Sequence, residues 1–389
     1  MKTLGKLKKQ PRIDAIDLLR GLFIVIMIID HVARFPNGLD YFSGRNALWF
    51  SAAEGFVALS GILVGYIYMP KFVINAKYIF RKLFQRAAIL YTCVIVASLF
   101  FIGYSYFMFN ATDFNHFTSI WDLLIQLMTL CYSFGWAEFL THYVIFLILA
   151  PFVLYAFSRG YTWIVLLIST LVWICGLGLS EGQSRYEFTM SWQLLFIYGM
   201  FIGSHLTEIR KWFSNSFSEK NIKIMTISLW GGAALLYITS VVLAYGSDDI
   251  GRNITGLATI ANSLSNVWSP INESWFSWWT DKATLAPLRI FFGLIIFWSL
   301  FTFFDRYHTK IEKYSCNILT VFGKKPLISY IAGAVIIFII EKYIPQPDEE
   351  NRHFIANLIV TISALVFTFI ITKNSSKISY LVKSLFQRK

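Results

Sequence analysis

Apolar runs long enough to cross a bilayer recur along most of the chain, separated by shorter polar or basic segments. A transmembrane α-helix needs about 20 predominantly apolar residues. The pattern predicts ten membrane-spanning helices, near residues 14–34, 47–69, 87–108, 137–157, 161–180, 190–207, 224–245, 285–304, 326–343 and 354–372. We therefore expect an all-α polytopic membrane protein with a single transmembrane domain over residues 1–389, which includes basic cytoplasmic tails at 1–12 and 374–389.

Composition and charge agree with this class. Hydrophobic residues make up 56% of the chain and charged residues 14%, with a mean hydropathy of +0.58, which excludes a set of soluble domains. With a cytoplasmic N-terminus, the predicted inside segments hold 25 Lys and Arg residues and the outside loops 5. This asymmetry predicts that both termini are cytoplasmic. The net charge of +12 is then explained by topology and anionic lipid, and no nucleic acid partner is expected.

One apolar segment, residues 121–135, does not fit the count. Treating it as a full span would invert every later helix and place the basic loops outside. It is therefore predicted to be a short re-entrant or interfacial helix. The four cysteines are scattered, so neither a disulfide framework nor a metal site is expected.

The first predicted helix carries ionisable side chains inside an apolar run. Arg20, Ile24, Met27 and His31 lie three or four residues apart in sequence and therefore share one helix face. Placing a cation and an imidazole in a bilayer costs a few kcal/mol each, so such residues point to a functional site. The alternative is that both are helix-end residues bonded to neighbouring helices.

The second predicted helix adds a carboxylate and a stripe of small residues. Glu54, Ala58, Gly61 and Gly65 fall on one side of the helix, and the small members predict close packing against another helix. With the predicted topology, Glu54 lies in the outer half of the membrane near the depth of His31. We expect its carboxylate to orient the imidazole and to stabilise the imidazolium.

Asp30 competes with Glu54 for this role. However, Asp30 precedes Arg34 by four residues, a spacing that favours an ion pair between these two side chains.

The segment RIDAIDLLRGLFIVIMIIDHV, followed by RNALWFSAAEGFVALSGILVGYIY, resembles the opening of OpgC-type membrane proteins. These are the succinyltransferases of osmoregulated periplasmic glucans, within the acyltransferase-3 superfamily. The matching elements are Arg20-Gly21, Asp30-His31, Arg45-Asn46, Ala52-Ala53-Glu54, Phe56 and Leu59-Ser60-Gly61. Weaker matches occur at Tyr143 with Pro151, Trp192 to Phe196, Pro287-Leu288-Arg289 and Gly323 before Pro326-Leu327. The family pattern has an acidic residue where this chain has Ser51.

The resemblance implies a location in the bacterial inner membrane. It also implies transfer of an acyl group from cytoplasmic acyl-CoA, with succinyl-CoA as the expected donor, to a hydroxyl of a periplasmic glucan or another envelope glycan. In that reading His31 is the general base and Glu54 or Asp30 its carboxylate partner. Arg20 near the inner face binds donor phosphate, since a guanidinium offers forked donors. The resemblance also implies that four polar residues bind substrate, namely Arg34, Arg45, Asn46 and Ser60. No metal ion is expected at this site.

The long outer segment 246–284 contains Trp275 and Trp278. Tryptophan at this depth is either a headgroup-level anchor or an aromatic platform for a sugar ring, and both readings stay open.

Two alternative functions also stay open. One is an acetyltransferase acting on another envelope polysaccharide, since sequence does not separate acyl donors. The other is an ion-coupled carrier, because intramembrane Arg, Asp, His and Glu also build proton relays. Assembly into a homo-oligomer is left open as well.

Overall fold

The computed structural model describes residues 10–44, 48–109, 117–178, 185–245, 276–344 and 353–387. Within these ranges the regular structure is helical and contains no β-strand. The helices are α1 (Asp14–Val32), α2 (Asp40–Ser43), α3 (Ala52–Phe72), α4 (Ala76–Phe109), α5 (Ile120–Met128), α6 (Gly135–Ser158), α7 (Thr162–Leu177), α8 (Arg185–Ser204), α9 (Leu206–Ser216), α10 (Glu219–Tyr245), α11 (Ser277–Trp279), α12 (Pro287–Tyr314), α13 (Ile318–Lys324), α14 (Pro326–Tyr343) and α15 (Phe354–Gln387).

Seven of the described helices are long and apolar enough to cross a membrane, namely α3, α4, α6, α10, α12, α14 and α15. The other three predicted spans coincide with α1, α7 and α8. Of these, α7 is apolar but short, and α1 carries four acidic or basic residues along its length. Large side chains such as Leu167 (60% exposed) face outward along α7, as a lipid-facing helix requires. The chain is thus a multi-pass membrane protein, while the count of ten spans and the orientation stay predictions.

The described chain clusters into two compact units, and the boundary falls within α3. The first unit contains residues 57–213 and the second contains residues 12–56 and 214–389. The prediction of a single transmembrane domain stays a prediction.

The first unit contains the close helix packing predicted for the small residues of α3. A Cβ atom added at Gly61 would lie 2.2 Å from the carbonyl oxygen of Phe196 in α8, and one at Gly65 would lie 2.1 Å from that of Met200. From the opposite side, a Cβ at Gly203 would lie 2.0 Å from the carbonyl oxygen of Ile62. Only glycine permits such backbone contact, so the predicted packing stripe is confirmed.

The ambiguous segment near residues 121–135 begins with α5, which has 9 residues and is too short to cross a bilayer. Leu123 and Leu127 pack with Ile102 of α4 in a buried cluster. A short helix in this segment is therefore confirmed, and its placement in the membrane stays a prediction.

The second unit is built around α1, which packs against α12, α13, α14 and α15. Most of its apolar side chains are buried, including Leu19, Phe23 and Ile29. A Cβ at Gly21 would lie 2.0 Å from the carbonyl oxygen of Leu319, so α1 and α13 touch along their backbones. Because protein surrounds α1, the helix can carry polar side chains that lipid would not accept.

Candidate active site

The His31 ring lies in the last turn of α1, and its Nδ1 is 2.6 Å from the backbone carbonyl oxygen of Met27. A carbonyl oxygen can only accept a hydrogen bond, so Nδ1 carries the proton and donates it. In the neutral imidazole the basic lone pair then resides on Nε2. The His31 side chain is exposed, and it therefore presents a proton acceptor at the surface of the second unit.

The His31 ring lies at the C-terminal end of α1. The helix ends at Val32, and Ala33 takes a left-handed conformation with φ of 52°. The C-terminal end of a helix carries partial negative charge, which stabilises a protonated histidine by roughly 0.3–1 kcal/mol or more. An imidazolium formed at His31 by proton uptake would gain this stabilisation.

Glu54 belongs to a buried ion pair. Its Oε1 accepts a hydrogen bond from Arg289 Nε at 2.7 Å and a second from the Ser51 hydroxyl at 2.9 Å. The Glu54 and Arg289 side chains are each 4% exposed. Arg289 lies in the first turn of α12, where the helix dipole disfavours a cation, and the Glu54 carboxylate compensates for this position.

Ser51 directly precedes α3 and contacts the Glu54 side chain. Its hydroxyl oxygen accepts the backbone N–H of Glu54 at 3.4 Å while donating to the Glu54 carboxylate. This is a variant of the N-terminal Ser-x-x-Glu capping motif. The serine therefore starts the helix and orients the carboxylate, where an acidic residue would repel it.

The carboxylate of Glu54 is hydrogen-bonded to residues other than His31, and its expected role beside the imidazole stays a prediction. Among the described residues, Ser51 and Arg289 are the hydrogen-bond partners of its carboxylate, and the tautomer of His31 is set by the Met27 carbonyl instead. The physical reason is that a helix-end histidine reaches the carbonyl four residues earlier, whereas a buried arginine requires a carboxylate.

Lys282 is a site residue that sequence reasoning counted only as an outer loop charge. It acts electrostatically on His31, and it also lies within electrostatic range of Glu54, Asp30 and Arg289. Burial lowers the pKa of Lys282 below its ordinary value, and Arg289 acts in the same direction, whereas Glu54 and Asp30 raise it. A cation thus stands beside the proposed base.

The turn that carries Lys282 is held from both sides. The Asp281 carboxylate accepts the N–H and the hydroxyl of Thr284, both at 2.7 Å. The carbonyl of Thr280 accepts Arg289 Nη1 at 3.1 Å. The Asp-x-x-Thr pattern directly before a predicted span is a sequence signal for such a turn. The proximity of this turn to α1 is a long-range contact, which no local sequence pattern reveals.

One nitrogen of the Arg289 guanidinium makes no hydrogen bond to the described residues. Its Nε binds Glu54 and its Nη1 binds Thr280, while its Nη2 is buried and has no hydrogen-bond partner among the described residues. A buried donor without an acceptor costs about 1–3 kcal/mol, so this atom calls for an explanation.

The arginines of the first helix region take different positions. The Arg20 guanidinium lies 5.6 Å from the ring centroid of Phe56, in a cation–π arrangement. Arg34 is 4% exposed and donates to the backbone carbonyl of Ile344. Since α1 ends before Arg34, the helical geometry on which the expected Asp30–Arg34 pair rested is not present. The pair itself stays a prediction, and Asp30 also lies within electrostatic range of Lys282 and Tyr237.

The connection after α1 is fixed by buried polar groups. Asn37 is fully buried, and its amide donates to the Arg34 carbonyl at 2.8 Å and to the Thr361 hydroxyl at 3.2 Å. Its Oδ1 accepts the backbone N–H groups of Leu39 and Asp40. These bonds fix the chain that leaves the His31 end of α1.

Two of the remaining predicted residues, Ser60 and Trp278, lie within the described part of the chain. Ser60 is buried in α3, within the first unit. Trp278 is 54% exposed and packs edge-on against Trp279 at 5.2 Å between ring centroids. Arg45, Asn46 and Trp275 lie outside the described residues. In the described part of the chain, no cluster of His, Cys, Asp and Glu suits a metal ion.

A family model described as "OpgC protein" matches residues 12–379, which is nearly the whole chain. No curated protein and no solved structure matches the chain.

Proposed function

Because the chain belongs to the OpgC family, we propose that it is an acyl-CoA-dependent O-acyltransferase that modifies a glucan of the cell envelope. Family membership supports a glucan-modifying membrane acyltransferase over an ion-coupled carrier. The acyl-CoA donor, the succinyl group, the periplasmic acceptor and the inner-membrane location are our proposals. They rest on the family, on the apolar helices and on the distribution of basic residues.

The observation that carries the proposal is the protonation state imposed on His31. With Nδ1 donating to Met27, Nε2 is the atom that can take a proton from an attacking hydroxyl. General base catalysis by such a group contributes about 10²- to 10⁴-fold to a rate.

The transfer then proceeds in one balanced sequence. The sugar hydroxyl gives its proton to His31 Nε2 while its oxygen forms a bond to the thioester carbon. The carbon–sulfur bond breaks, the acyl group becomes an ester of the sugar, and the CoA thiolate takes the proton from the imidazolium. His31 returns to the neutral state with Nδ1 still bonded to Met27.

Arg20 is the proposed contact for the donor's phosphates. A guanidinium binds phosphate with two parallel hydrogen bonds and also stacks on aromatic faces, as Arg20 does on Phe56. The pantetheine arm would extend along α1 from Arg20 toward His31.

The test is acyl transfer by purified protein in nanodiscs, with succinyl-CoA or acetyl-CoA and a glucan oligosaccharide, followed by mass spectrometry of the product. We expect His31→Ala to lower turnover by about 100-fold or more. His308→Ala is the matched control, because His308 Nδ1 also lies 2.9 Å from a backbone carbonyl, that of Asp305.

Near-normal turnover in His31→Ala would contradict the base assignment. Acetyl transfer in place of succinyl transfer would correct the donor, and transfer of neither group would contradict the proposed function.

A further inference from the structure

We propose that one end of the first unit binds anionic phospholipid headgroups, with helix α9 lying flat in the membrane surface. This binding is independent of the reaction that the protein catalyses. The surface, which we call the basic rim, is formed by exposed cationic and aromatic residues of the α6–α7 turn, of the start of α7 and of α9. They are Arg159, Tyr161, Trp163, Arg210, Lys211 and Trp212.

Helix α9 is too short to cross a bilayer. It has 11 residues and is therefore about 16 Å long, against about 30 Å for the hydrocarbon core of a membrane. Helix α8 ends at Ser204 and α9 begins at Leu206, so the chain turns directly after α8. Because α8 coincides with a predicted span, α9 starts close to the membrane surface.

Helix α9 has an apolar face that is only partly covered by protein. Leu206, Ile209 and Phe213 recur at helical spacing, and Trp212 lies beside them. Leu206 is buried, whereas Ile209 is 37% exposed and Trp212 is 61% exposed. Exposed apolar side chains on an amphipathic helix suit insertion at the boundary between headgroups and acyl chains.

Positive charge dominates the basic rim. Arg159, Arg210 and Lys211 are exposed cations. The acidic residue of α9 is Glu208, whose carboxylate lies 2.8 Å from Nδ1 of His205, and residues 150–178 contain no Asp or Glu. The predicted orientation places this end at the cytoplasmic leaflet, whose surface is negative. The charge of the basic rim therefore complements an anionic headgroup.

Ring contacts hold the α6–α7 turn and the start of α9 at the same end of the first unit. The Trp163 ring lies 6.1 Å from that of Phe201 in α8, and the Phe201 ring lies 5.1 Å from that of His205, which directly precedes α9. Tyr161 and Trp163 are 57% and 75% exposed. Tryptophan and tyrosine are enriched where a membrane meets water, so both segments suit the same membrane surface.

The experiment uses the full-length protein in phosphatidylcholine vesicles that contain a small share of brominated lipid. The bromine atoms lie on the acyl chains close to the headgroup, where they quench nearby tryptophan emission. The brominated lipid is phosphatidylglycerol in one set and phosphatidylcholine in the other. The contribution of Trp212 is the difference between wild-type protein and Trp212→Phe. We expect brominated phosphatidylglycerol to quench this contribution more strongly, and high salt to reduce the difference.

Arg210→Gln combined with Lys211→Gln removes the charge of α9 and keeps both side chains polar. The preference of Trp212 for phosphatidylglycerol should fall by roughly 5-fold for each charge removed. Arg306→Gln combined with Lys310→Gln is the matched control, since it removes the same charge from exposed residues of the second unit. It should leave the preference unchanged.

Equal quenching of Trp212 by the two brominated lipids would overturn the proposal, and quenching by neither would place α9 outside the membrane surface. Loss of the preference on addition of inorganic phosphate or coenzyme A would make a soluble phosphate the occupant instead of lipid. Where a variant fails to fold, the total tryptophan emission of wild-type protein decides, because equal quenching by the two lipids would again overturn the proposal. No acyl donor or glucan is present, so these outcomes do not depend on the proposed function.

Discussion

Replacing Glu54 by Gln removes the charge from one side of the buried Glu54–Arg289 pair and keeps the shape of the side chain. Both side chains are 4% exposed and their charged atoms are 2.7 Å apart, so water cannot compensate for the loss. Breaking a buried pair by removing one partner costs about 3–5 kcal/mol, because the remaining charge stays buried. With about 2–4 °C of Tm per kcal/mol for a domain of this size, we expect a fall on the order of 10 °C.

The assay is thermal unfolding of purified protein in nanodiscs, together with succinyl transfer on the same samples. Arg289→Gln should destabilise by a similar amount, and the double variant should recover much of the loss, since no charge is then left alone. Glu208→Gln is the control, because its partner His205 and Glu208 itself are 47% and 73% exposed and such surface pairs contribute little.

The result that would refute this reasoning is an unchanged Tm in Glu54→Gln with a steep fall in turnover. That outcome would restore the role expected from sequence, in which the carboxylate serves the imidazole. Strictly additive losses in the double variant would also contradict coupling between the two side chains.

Further variants test the packing, the polar connection and the charges of the site. Gly61→Ala should lower Tm because its Cβ would meet the α8 backbone at 2.2 Å, whereas Gly103→Ala, with open space around it, should be neutral or stabilising by up to about 1 kcal/mol. Asn37→Ala should cost about 1–3 kcal/mol in a thermal unfolding measurement, since it leaves buried partners unsatisfied. Arg20→Lys should weaken binding of labelled acyl-CoA more than binding of glucan, and equal affinities would return Arg20 to a packing role.

Much of the fold could be predicted from sequence because membrane helices are defined by local composition. Each of the ten predicted spans coincides with a helix, and the small residues Gly61 and Gly65 correctly predicted a backbone contact. The helix on the other side of that contact could not be identified from sequence, because a glycine indicates only that another backbone packs closely against it.

The candidate site was less accessible to sequence reasoning. The helical spacing of Arg20 and His31 is a local property and could be read directly. The partner of Glu54 is Arg289, which is 235 positions away, and a single sequence carries no signal for a pairing at that distance. The Ser51-x-x-Glu54 capping motif was readable, and it indicates that Glu54 also begins a helix.

The hydrogen bond that fixes His31 has a consequence for how this region tolerates genetic change. Its acceptor is the main-chain oxygen of residue 27, which every amino acid possesses, so the identity of Met27 can drift without loss of the bond. The hydrogen bond depends instead on the helical conformation of the backbone in the last turn of α1. Substitutions that fray it, such as proline within that turn, should inactivate the protein even though they alter no group that touches substrate.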